Sequence, residues 1–404
     1  MLEAWRWFGP DDPVTLDHVR QAGARHVVTA LHGRAPGDAW TRAEVEARRD
    51  LVETTPPGRT PLAWSVVESI PVADAIKREG VATPAARAAL EAWIASLEAV
   101  AAAGIPVVCY NFMPVMDWTR TDLDWPLPTG ATALRFDATR FAAFDVAILA
   151  REGAAADYPP ELVARARALA ERMSTQEREA LVRTIAAGLP GATTDALSLD
   201  AFRARLDAYR GIDAARLRAN LVAFLERVVP VADALGVRLA LHPDDPPRPL
   251  LGLPRVASTA ADYEALFAAV PSLANGICLC TGSLGVSAQN DLVAMARRFA
   301  PRIHFAHLRA TTREADGSFF EADHLDGDVD MIGILDALLA EDARREPRAR
   351  IPFRPDHGHR MLGDLEAGAR VNPGYTAAGR MKGLAELRGA IRALRTVRGG
   401  DHRG

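Results

Sequence analysis

The chain has 404 residues, 49% hydrophobic and 25% charged, a composition typical of a soluble globular protein with one large α/β barrel or two smaller domains. The formal net charge of −4, without a basic block, excludes an electrostatic case for nucleic-acid binding. Three cysteines make no disulfide framework, and we find neither a signal-peptide pattern nor an apolar run of membrane-span length, so we expect a cytoplasmic protein without a membrane partner.

The first quarter of the chain alternates short apolar runs with helical patterns. The predicted strands are 4–9, 26–31, 61–68 and 105–112. The predicted helices between them are about 15–22, 41–53 and 84–103. The last of these helices stops at Gly104, a residue that commonly ends helices.

This alternation breaks between Met113 and about Asp213, where we predict no strand. A loop rich in Trp, Asp and Pro at 116–130 precedes helical segments at about 138–152, 159–172, 175–187 and 198–209. We interpret the segment, approximately 113–213, as a helical insertion that serves as a lid or an oligomer contact, or else as a solubilising appendage. Its size favours a homodimer or higher homo-oligomer.

The alternation then resumes to the end of the predicted barrel. The predicted strands are 237–242, 276–281, 302–308 and 351–356. The predicted helices are about 214–235, 259–270, 288–299 and 329–343. Eight strands alternating with helices indicate a (β/α)₈ TIM barrel, with residues 1–404 as a single domain. A dinucleotide-binding fold is disfavoured because no Gly-x-Gly-x-x-Gly follows a strand.

The last four predicted strands each end in a side chain that can bind metal. These side chains are His242, Cys280, His307 and Asp356. In a parallel barrel the carboxyl ends of the strands meet at one mouth. Two imidazoles, a thiolate and a carboxylate suit a divalent first-row metal such as Fe²⁺, Mn²⁺, Zn²⁺ or Co²⁺ better than Ca²⁺ or Mg²⁺. One such histidine is more often structural, but four converging donors are hard to explain in that way.

Several neighbouring residues have simpler interpretations. His304 lies on the opposite strand face from His307 and is expected to be structural, and Cys278 and Cys109 are expected to pack in the core. Of Asp244 and Asp245, we expect one to form a turn and the other to support the ligands. His357 follows Asp356 directly, which places it where a general acid or base belongs. Tyr375 could be a second proton-transfer group, although a tyrosine in a turn usually packs.

Longer motifs carry a family resemblance. They are Trp5-Arg-Trp-Phe-Gly, Thr29-Ala-Leu-His32, Trp64-Ser-Val-Val-Glu-Ser, Val108-Cys-Tyr-Asn-Phe-Met-Pro-Val-Met-Asp-Trp, His242-Pro-Asp-Asp-Pro-Pro-Arg-Pro, Cys280-Thr-Gly-Ser, His307-Leu-Arg, Gly327-Asp-Val-Asp-Met, Arg354-Pro-Asp-His-Gly-His and Asn372-Pro-Gly-Tyr. Together, over nearly the whole chain, they resemble the mannonate dehydratases of the bacterial hexuronate pathway.

The resemblance implies a xylose-isomerase-like barrel that uses Mn²⁺ or Fe²⁺ to convert D-mannonate into 2-keto-3-deoxy-D-gluconate and water. It implies metal ligands at the four positions found above and acid–base roles for His357 and Tyr375. Polar residues near predicted strand ends are then candidate contacts for this sugar acid, or salt-bridged rim residues: Arg6, Asn111, Arg309 and Asp328. Asp117, Trp118 and Arg120 could close over the substrate from the insertion.

Two other classes of protein compete with this interpretation. Another metal enzyme on the same barrel is one, but a thiolate ligand argues against a sugar isomerase and the net charge argues against a nuclease. The other is a sugar-acid binding or regulatory protein with a structural metal. The presence of both His357 and Tyr375 beside four ligands disfavours that alternative.

Overall fold

The computed structural model describes residues 1–188, 198–366 and 371–399. The segment 189–197, which falls inside the predicted insertion, lies outside the described residues. Within the described ranges, none of the helices combines the length and the apolar character needed to cross a bilayer.

Eight parallel strands close into a barrel, as the sequence predicts. They are β1 (Leu2–Arg6), β2 (His26–Thr29), β3 (Ala63–Glu68), β4 (Val107–Tyr110), β7 (Arg238–Leu241), β8 (Asn275–Cys280), β9 (Ile303–His307) and β12 (Pro352–Arg354). Each strand pairs with its neighbour in the chain order of the barrel, and β12 closes the barrel on β1 through Leu2–Pro352 and Glu3–Phe353. Their carboxyl ends therefore share one mouth.

Two layers of side chains explain the closure. Small and branched residues with one aromatic fill the barrel interior: Ala4, Val28, Val66, Val107, Cys109, Ala240, Cys278 and Phe305. A larger apolar cluster lies between the strands and the surrounding helices. Strands buried on both faces read as continuous apolar runs, which is why the sequence signal for them is strong.

The helices that follow the strands are close to those predicted. Around the barrel they are α1 (Leu16–Gln21), α2 (Arg42–Glu53), α3 (Asp74–Glu79), α4 (Pro84–Ala102), α9 (Ala214–Leu235), α10 (Ala260–Ala269), α11 (Thr281–Leu284), α12 (Leu292–Arg298), α13 (Met331–Asp342), α14 (Gly363–Glu366) and α15 (Ala377–Val397). The short helices α3, α11 and α14 and the long C-terminal helix α15 are absent from the sequence prediction.

The insertion differs from its prediction in one respect. Its helices are α5 (Ala138–Ala143), continued by a π-helical turn (Phe144–Ile148), α6 (Pro160–Arg172), α7 (Thr175–Ala186) and α8 (Leu199–Asp207). The expectation of no strand is wrong, because β5 (Asp122–Pro126) and β6 (Thr132–Phe136) form a hairpin. Strand β5 is short, half exposed and ends in Pro, so its sequence signal is weak, and β6 is also held by a strand far along the chain.

The distant partner is a second hairpin, β10 (Thr311–Arg313) and β11 (Phe319–Glu321), which follows β9. Strand β11 pairs with β6 and completes a four-stranded antiparallel sheet, called here the cap sheet. Phe319 and Phe136 stack at 5.4 Å and join the apolar cluster beneath the insertion helices. The cap sheet therefore fixes the insertion to the loop that follows β9.

Candidate metal centre

The four predicted donors lie where the sequence places them, at the ends of β7, β8, β9 and β12. The donor atoms of His242, Cys280 and His307 all lie within 4.8 Å of one another. The fourth donor, Asp356, has its Oδ2 3.6 Å from Cys280 Sγ. The structure thus clusters three of the predicted donors and places the fourth, Asp356, beside Cys280.

His242 has one ring nitrogen already committed to the backbone. Its Nδ1 lies 2.7 Å from the carbonyl oxygen of Pro243, so Nδ1 carries the hydrogen and donates it. Nε2 is then the nitrogen with a free lone pair. A histidine ligand held in this way by a backbone carbonyl is a common arrangement in metal sites.

One ring nitrogen of His307 lacks a hydrogen bond. The residue is fully buried, and none of the described residues hydrogen bonds its Nε2. The nearest carboxylate oxygen, Oε2 of Glu68, is 3.5 Å away, too far for a good hydrogen bond. Buried polar atoms are rarely left unpaired, and a metal ion would satisfy this one. The donor chemistry and this unpaired nitrogen both fit a divalent first-row metal.

Asp356 follows β12 by two residues and is held by arginines. Its backbone is in the left-handed region (φ 39°), which is uncommon for a residue with a Cβ. Arg354 Nη1 lies 2.6 Å from one carboxylate oxygen and Arg309 Nη1 3.1 Å from the other. Burial opposes ionisation, but Arg354, His357 and Arg309 together hold the pKa of Asp356 well below its ordinary value. The carboxylate is therefore charged and available as a ligand.

A second group of possible donors, Cys109, Cys278 and His307, lies inside the barrel. Both thiols belong to the apolar interior layer, and burial raises the pKa of each above its ordinary value. Metals bind thiolates, so protonated thiols in an apolar layer make a poor site. The structure thus places Cys109 and Cys278 in the core, as predicted.

His357 and Tyr375 lie side by side at the mouth. Their rings meet edge to face with centroids 5.1 Å apart. His357 Nε2 is 4.0 Å from Oδ1 of Asp356, and its Nδ1 faces away toward Glu321. The Tyr375 hydroxyl lies 3.4 Å from Nη2 of Arg354. Burial raises the pKa of Tyr375 although Arg354 opposes the shift, so the phenol stays protonated at neutral pH.

Gly374 permits this close approach. Its φ of 81° is in the left-handed region, and a Cβ there would lie 2.7 Å from Cγ of His357. Any other residue would therefore collide with the imidazole ring. The sequence Asn372-Pro-Gly-Tyr thus brings the Tyr375 loop against His357.

The candidate substrate contacts are not equally placed. Arg6 pairs with Glu68 at 3.0 Å, and Asn111 Oδ1 accepts a hydrogen bond from the Met113 amide at 3.3 Å; both Arg6 and Asn111 are half-buried. Arg309 is only 2% exposed and is engaged by Asp245, Asp356 and Glu321. Asp328 is 38% exposed and pairs with Arg313. Among the described residues, Asp328 forms neither a hydrogen bond nor an ion pair with a predicted metal ligand, His357 or Tyr375.

Sequence reasoning missed a buried ionic chain across the mouth. From β1 to the insertion its members alternate in charge: Arg6, Glu68, Arg354, Asp356, Arg309, Glu321 or Asp245, and Arg120. Glu68 and Arg354 could have been predicted in the same way as the metal donors, since both end barrel strands. Glu321 could not, because it ends a strand of the cap sheet and not of the barrel.

Of the two aspartates after His242, Asp245 supports the site as expected, whereas Asp244 does not form the expected turn. Asp244 Oδ2 accepts hydrogen bonds from the Ala257 amide and the Ser258 hydroxyl, both at 2.8 Å, and so ties the loop after β7 to the residues that precede α10. Asp245 pairs with Arg120 and Arg309 and thereby supports the site. His304 also agrees with its structural interpretation, since its Nε2 lies 2.7 Å from the Leu273 carbonyl oxygen.

Comparisons with known proteins agree with this geometry. A family model described as D-mannonate dehydratase (UxuA) matches residues 1–399. A mannonate dehydratase of Brucella canis is 62% identical over 98% of this chain and 97% of its own length. One from Chromohalobacter salexigens is 55% identical over 98% of this chain and 100% of its own. The crystal structure of a mannonate dehydratase from Streptococcus suis matches with a TM-score of 0.74 and 32% identity, covering 99% of this chain and 95% of that one.

Proposed function

The chain belongs to the D-mannonate dehydratase family, and we propose that it converts D-mannonate into 2-keto-3-deoxy-D-gluconate and water at the mouth of its barrel. The enzyme is thus a hydro-lyase that acts on a sugar acid. The observation that carries the proposal is the convergence of His242, Cys280 and His307 beside the His357–Tyr375 pair.

His242, Cys280, His307 and Asp356 would hold the metal ion. We propose Mn²⁺ or Fe²⁺, because a mixed set of imidazole, thiolate and carboxylate donors suits these ions. When bound, the ion supplies positive charge that polarises the substrate carboxylate and makes the neighbouring C2 proton more acidic.

His357 and Tyr375 would then move two protons. One of them removes the proton from C2, and the electron pair of that bond forms the C2–C3 double bond while the C3–oxygen bond breaks. The other protonates the departing C3 hydroxyl, which leaves as water. The resulting enol tautomerises to the 2-keto acid. The support for this pairing is their edge-to-face contact beside Asp356.

Four polar residues are proposed to bind the substrate: Arg6, Asn111, Arg309 and Asp328. The half-buried Arg6 and Asn111 are the better supported, since Arg6 ends β1 and Asn111 directly follows β4. Arg309 would act through the carboxylates that it already binds. Asp328 would have to exchange its contact with Arg313 for one with the substrate.

We also propose that the enzyme is cytoplasmic and assembles as a homodimer or higher homo-oligomer. The absence of any disulfide requirement supports the first point, since all three cysteines are free and buried. The large insertion supports the second. Light scattering of the purified protein at micromolar concentration would test the assembly, and a monomer mass of 43.5 kDa would contradict it.

Activity after metal exchange tests the main proposal. Protein stripped of metal is assayed for keto-acid formation from D-mannonate after addition of Mn²⁺, Fe²⁺, Zn²⁺ or Mg²⁺. We expect Mn²⁺ or Fe²⁺ to restore turnover in the wild type and not in His357→Asn or Tyr375→Phe. Metal content is measured in every sample, so that lost chemistry is separated from lost metal.

His18→Asn is a suitable control because it removes a histidine that only caps helix α1. This variant should retain full turnover. Wild-type protein that binds metal but forms no keto acid would sink the dehydratase proposal. If D-mannonate then raised the melting temperature without turnover, a binding protein would be the better interpretation.

A further inference from the structure

We propose that Glu321 and Arg120 are positioning residues for proton transfer at His357, an inference that rests on the proposed function. Glu321 accepts the Nδ1 hydrogen of His357 and so leaves Nε2 to exchange a proton with the substrate. Arg120 holds Glu321 in place from the insertion.

The hydrogen-bond geometry around Nδ1 admits one assignment. Nδ1 lies 2.8 Å and 3.0 Å from the two carboxylate oxygens of Glu321 and 2.9 Å from Nη1 of Arg309. An arginine can only donate and an ionised carboxylate can only accept. Glu321 is charged, since burial is outweighed by His357, Arg309 and Arg120, which lower its pKa to about 2. Glu321 therefore accepts a hydrogen bond from Nδ1–H, and Arg309 donates its hydrogen bonds to carboxylates such as Asp245 and Asp356.

The free nitrogen then faces the donors. Nε2 lies on the side of Asp356, 4.0 Å from its Oδ1, with the Tyr375 ring against the imidazole. Rotating the imidazole ring by half a turn would exchange Nδ1 with Cδ2 and Nε2 with Cε1, so Glu321 would face a carbon and the basic nitrogen would leave its place beside Asp356. A carboxylate on the far nitrogen opposes that rotation and selects the tautomer, as carboxylates do for other catalytic histidines.

Arg120 fixes the carboxylate from outside the barrel. It is fully buried, and its Nη2 donates to Oε1 of Glu321 at 2.9 Å. Its two terminal nitrogens also contact both oxygens of Asp245, at 2.9 and 3.3 Å. Phe319 and Trp118 cover the guanidinium, 4.9 and 5.7 Å from their ring centroids. This planar fork, packed on two rings, is a fixed support that a lysine would not reproduce.

These contacts give part of the insertion a role in the chemistry. Arg120 lies two residues before β5 and Glu321 ends β11, so the cap sheet that joins the insertion to the barrel positions both. Arg120 was expected to close over the substrate. Its complete burial in ion pairs assigns it instead to supporting the imidazole from behind.

The test is steady-state kinetics of Glu321→Gln and Arg120→Lys in the metal-loaded enzyme. Loss of a group that orients a catalytic or ligating histidine typically costs about 10- to 100-fold in activity. We expect that fall in kcat for Glu321→Gln, a smaller fall for Arg120→Lys, and KM and metal content within about twofold of wild type. Because Glu321 would act only through His357, the His357→Asn/Glu321→Gln double variant should be no slower than His357→Asn.

Asp323→Asn is the matched control. Asp323 and His359 each lie two residues after Glu321 and His357, and they form a similar carboxylate–imidazole pair, at 3.3 Å from Nδ1, outside the site. The variant should retain wild-type kcat. If Glu321→Gln fails to fold, Arg120→Lys and Glu321→Asp carry the same measurements.

Three outcomes would overturn the inference: a Glu321→Gln kcat within twofold of wild type, a loss confined to KM, or an equal loss in Asp323→Asn. A double variant much slower than His357→Asn would also overturn it, because Glu321 would then act independently of His357. Full activity in His357→Asn would overturn both this inference and the role proposed for His357, whereas a fully active Glu321→Gln beside an inactive His357→Asn would overturn this inference alone.

Discussion

The two proposed proton-transfer groups touch each other but are held by different kinds of contact. His357 is held through charged side chains, Glu321 and then Arg120, that come from the cap sheet. Tyr375 is held through its backbone by Arg380 of helix α15. Arg380 donates from Nη2 to the Tyr375 carbonyl at 2.7 Å and from Nη1 to the Arg6 carbonyl at 2.7 Å.

The difference lies in what neutralises the buried charge. Around His357 positive and negative groups alternate, so removing one leaves another unpaired. Arg380 has neutral carbonyls as hydrogen-bond partners and stacks over Trp5 at 4.2 Å. Burial accordingly lowers the pKa of Arg380 below its ordinary value. The His357 region should therefore be sensitive to charge and acid, and the Tyr375 region mainly to loss of hydrogen bonds.

Arg354→Met should have the largest effect because Arg354 borders both regions. It binds Glu68 at 2.9 Å and Asp356 at 2.6 Å, and it is 2% exposed. Removing one member of a buried ion pair costs about 3–5 kcal/mol of unfolding free energy. Urea unfolding at pH 7 measures this. Arg42→Met removes an exposed pair with Glu46 and should cost less than about 0.5 kcal/mol; equal losses would refute the contrast.

Arg380→Met should have a smaller effect on stability than Arg354→Met. It leaves no unpaired charge, only carbonyls without donors, at a cost of about 1–3 kcal/mol. The Tyr375 loop should lose its anchor, so kcat should fall while the metal content stays at the wild-type value. Kinetics with metal analysis would show this, and a loss of metal in Arg380→Met would contradict the separation of the two regions.

Acid should distinguish the regions further. The pKa of Glu321 is lowered from 4.5 to about 2, so the stability that it contributes is present above pH 4.5 and is lost as pH falls toward 2. The stability difference between wild type and Glu321→Gln should therefore shrink below pH 4.5, by at most about 1.4 kcal/mol per pH unit. The difference between wild type and Arg380→Met should stay constant over the same range. Urea unfolding of the wild type and both variants at pH 5 and pH 3 would measure how each stability difference changes with pH.

Asp244→Asn should have the smallest effect on activity. Asp244 ties the loop after β7 to Ala257 and Ser258, outside both regions, while its neighbour Asp245 supports Arg120 and Arg309. We expect wild-type kcat for Asp244→Asn, with a stability loss of about 1 kcal/mol, and a clear loss of kcat for Asp245→Asn. Similar kcat values in the two variants would remove Asp245 from the support of His357.

The sequence predicts the barrel well because each barrel strand carries its own signal. Apolar runs such as that of β8 are buried on both faces whatever their partners are, and a donor such as Cys280 simply follows its own strand. His242, Cys280, His307 and Asp356 could therefore be placed at one mouth before the fold was known.

The supporting contacts could not be predicted in the same way. Arg120 and Glu321 meet only because β6 pairs with β11, and neither β6 nor β11 has an alternating pattern that would predict that pairing. Helix α15, which carries Arg380, was likewise missing from the prediction. Glu68 and Arg354 could have been found, since both sit at the ends of predicted strands.

The pairing of β6 with β11 has a consequence for biosynthesis. Arg120 and Glu321 are 201 residues apart, so a nascent chain exposes the insertion long before its partner strand leaves the ribosome. During that interval the guanidinium has no Glu321 to bind, and the apolar face that Phe319 will cover is open. The insertion should therefore depend on chaperones, or remain loosely folded, until synthesis has passed β11, and proton-transfer competence should be among the last properties that a new molecule acquires.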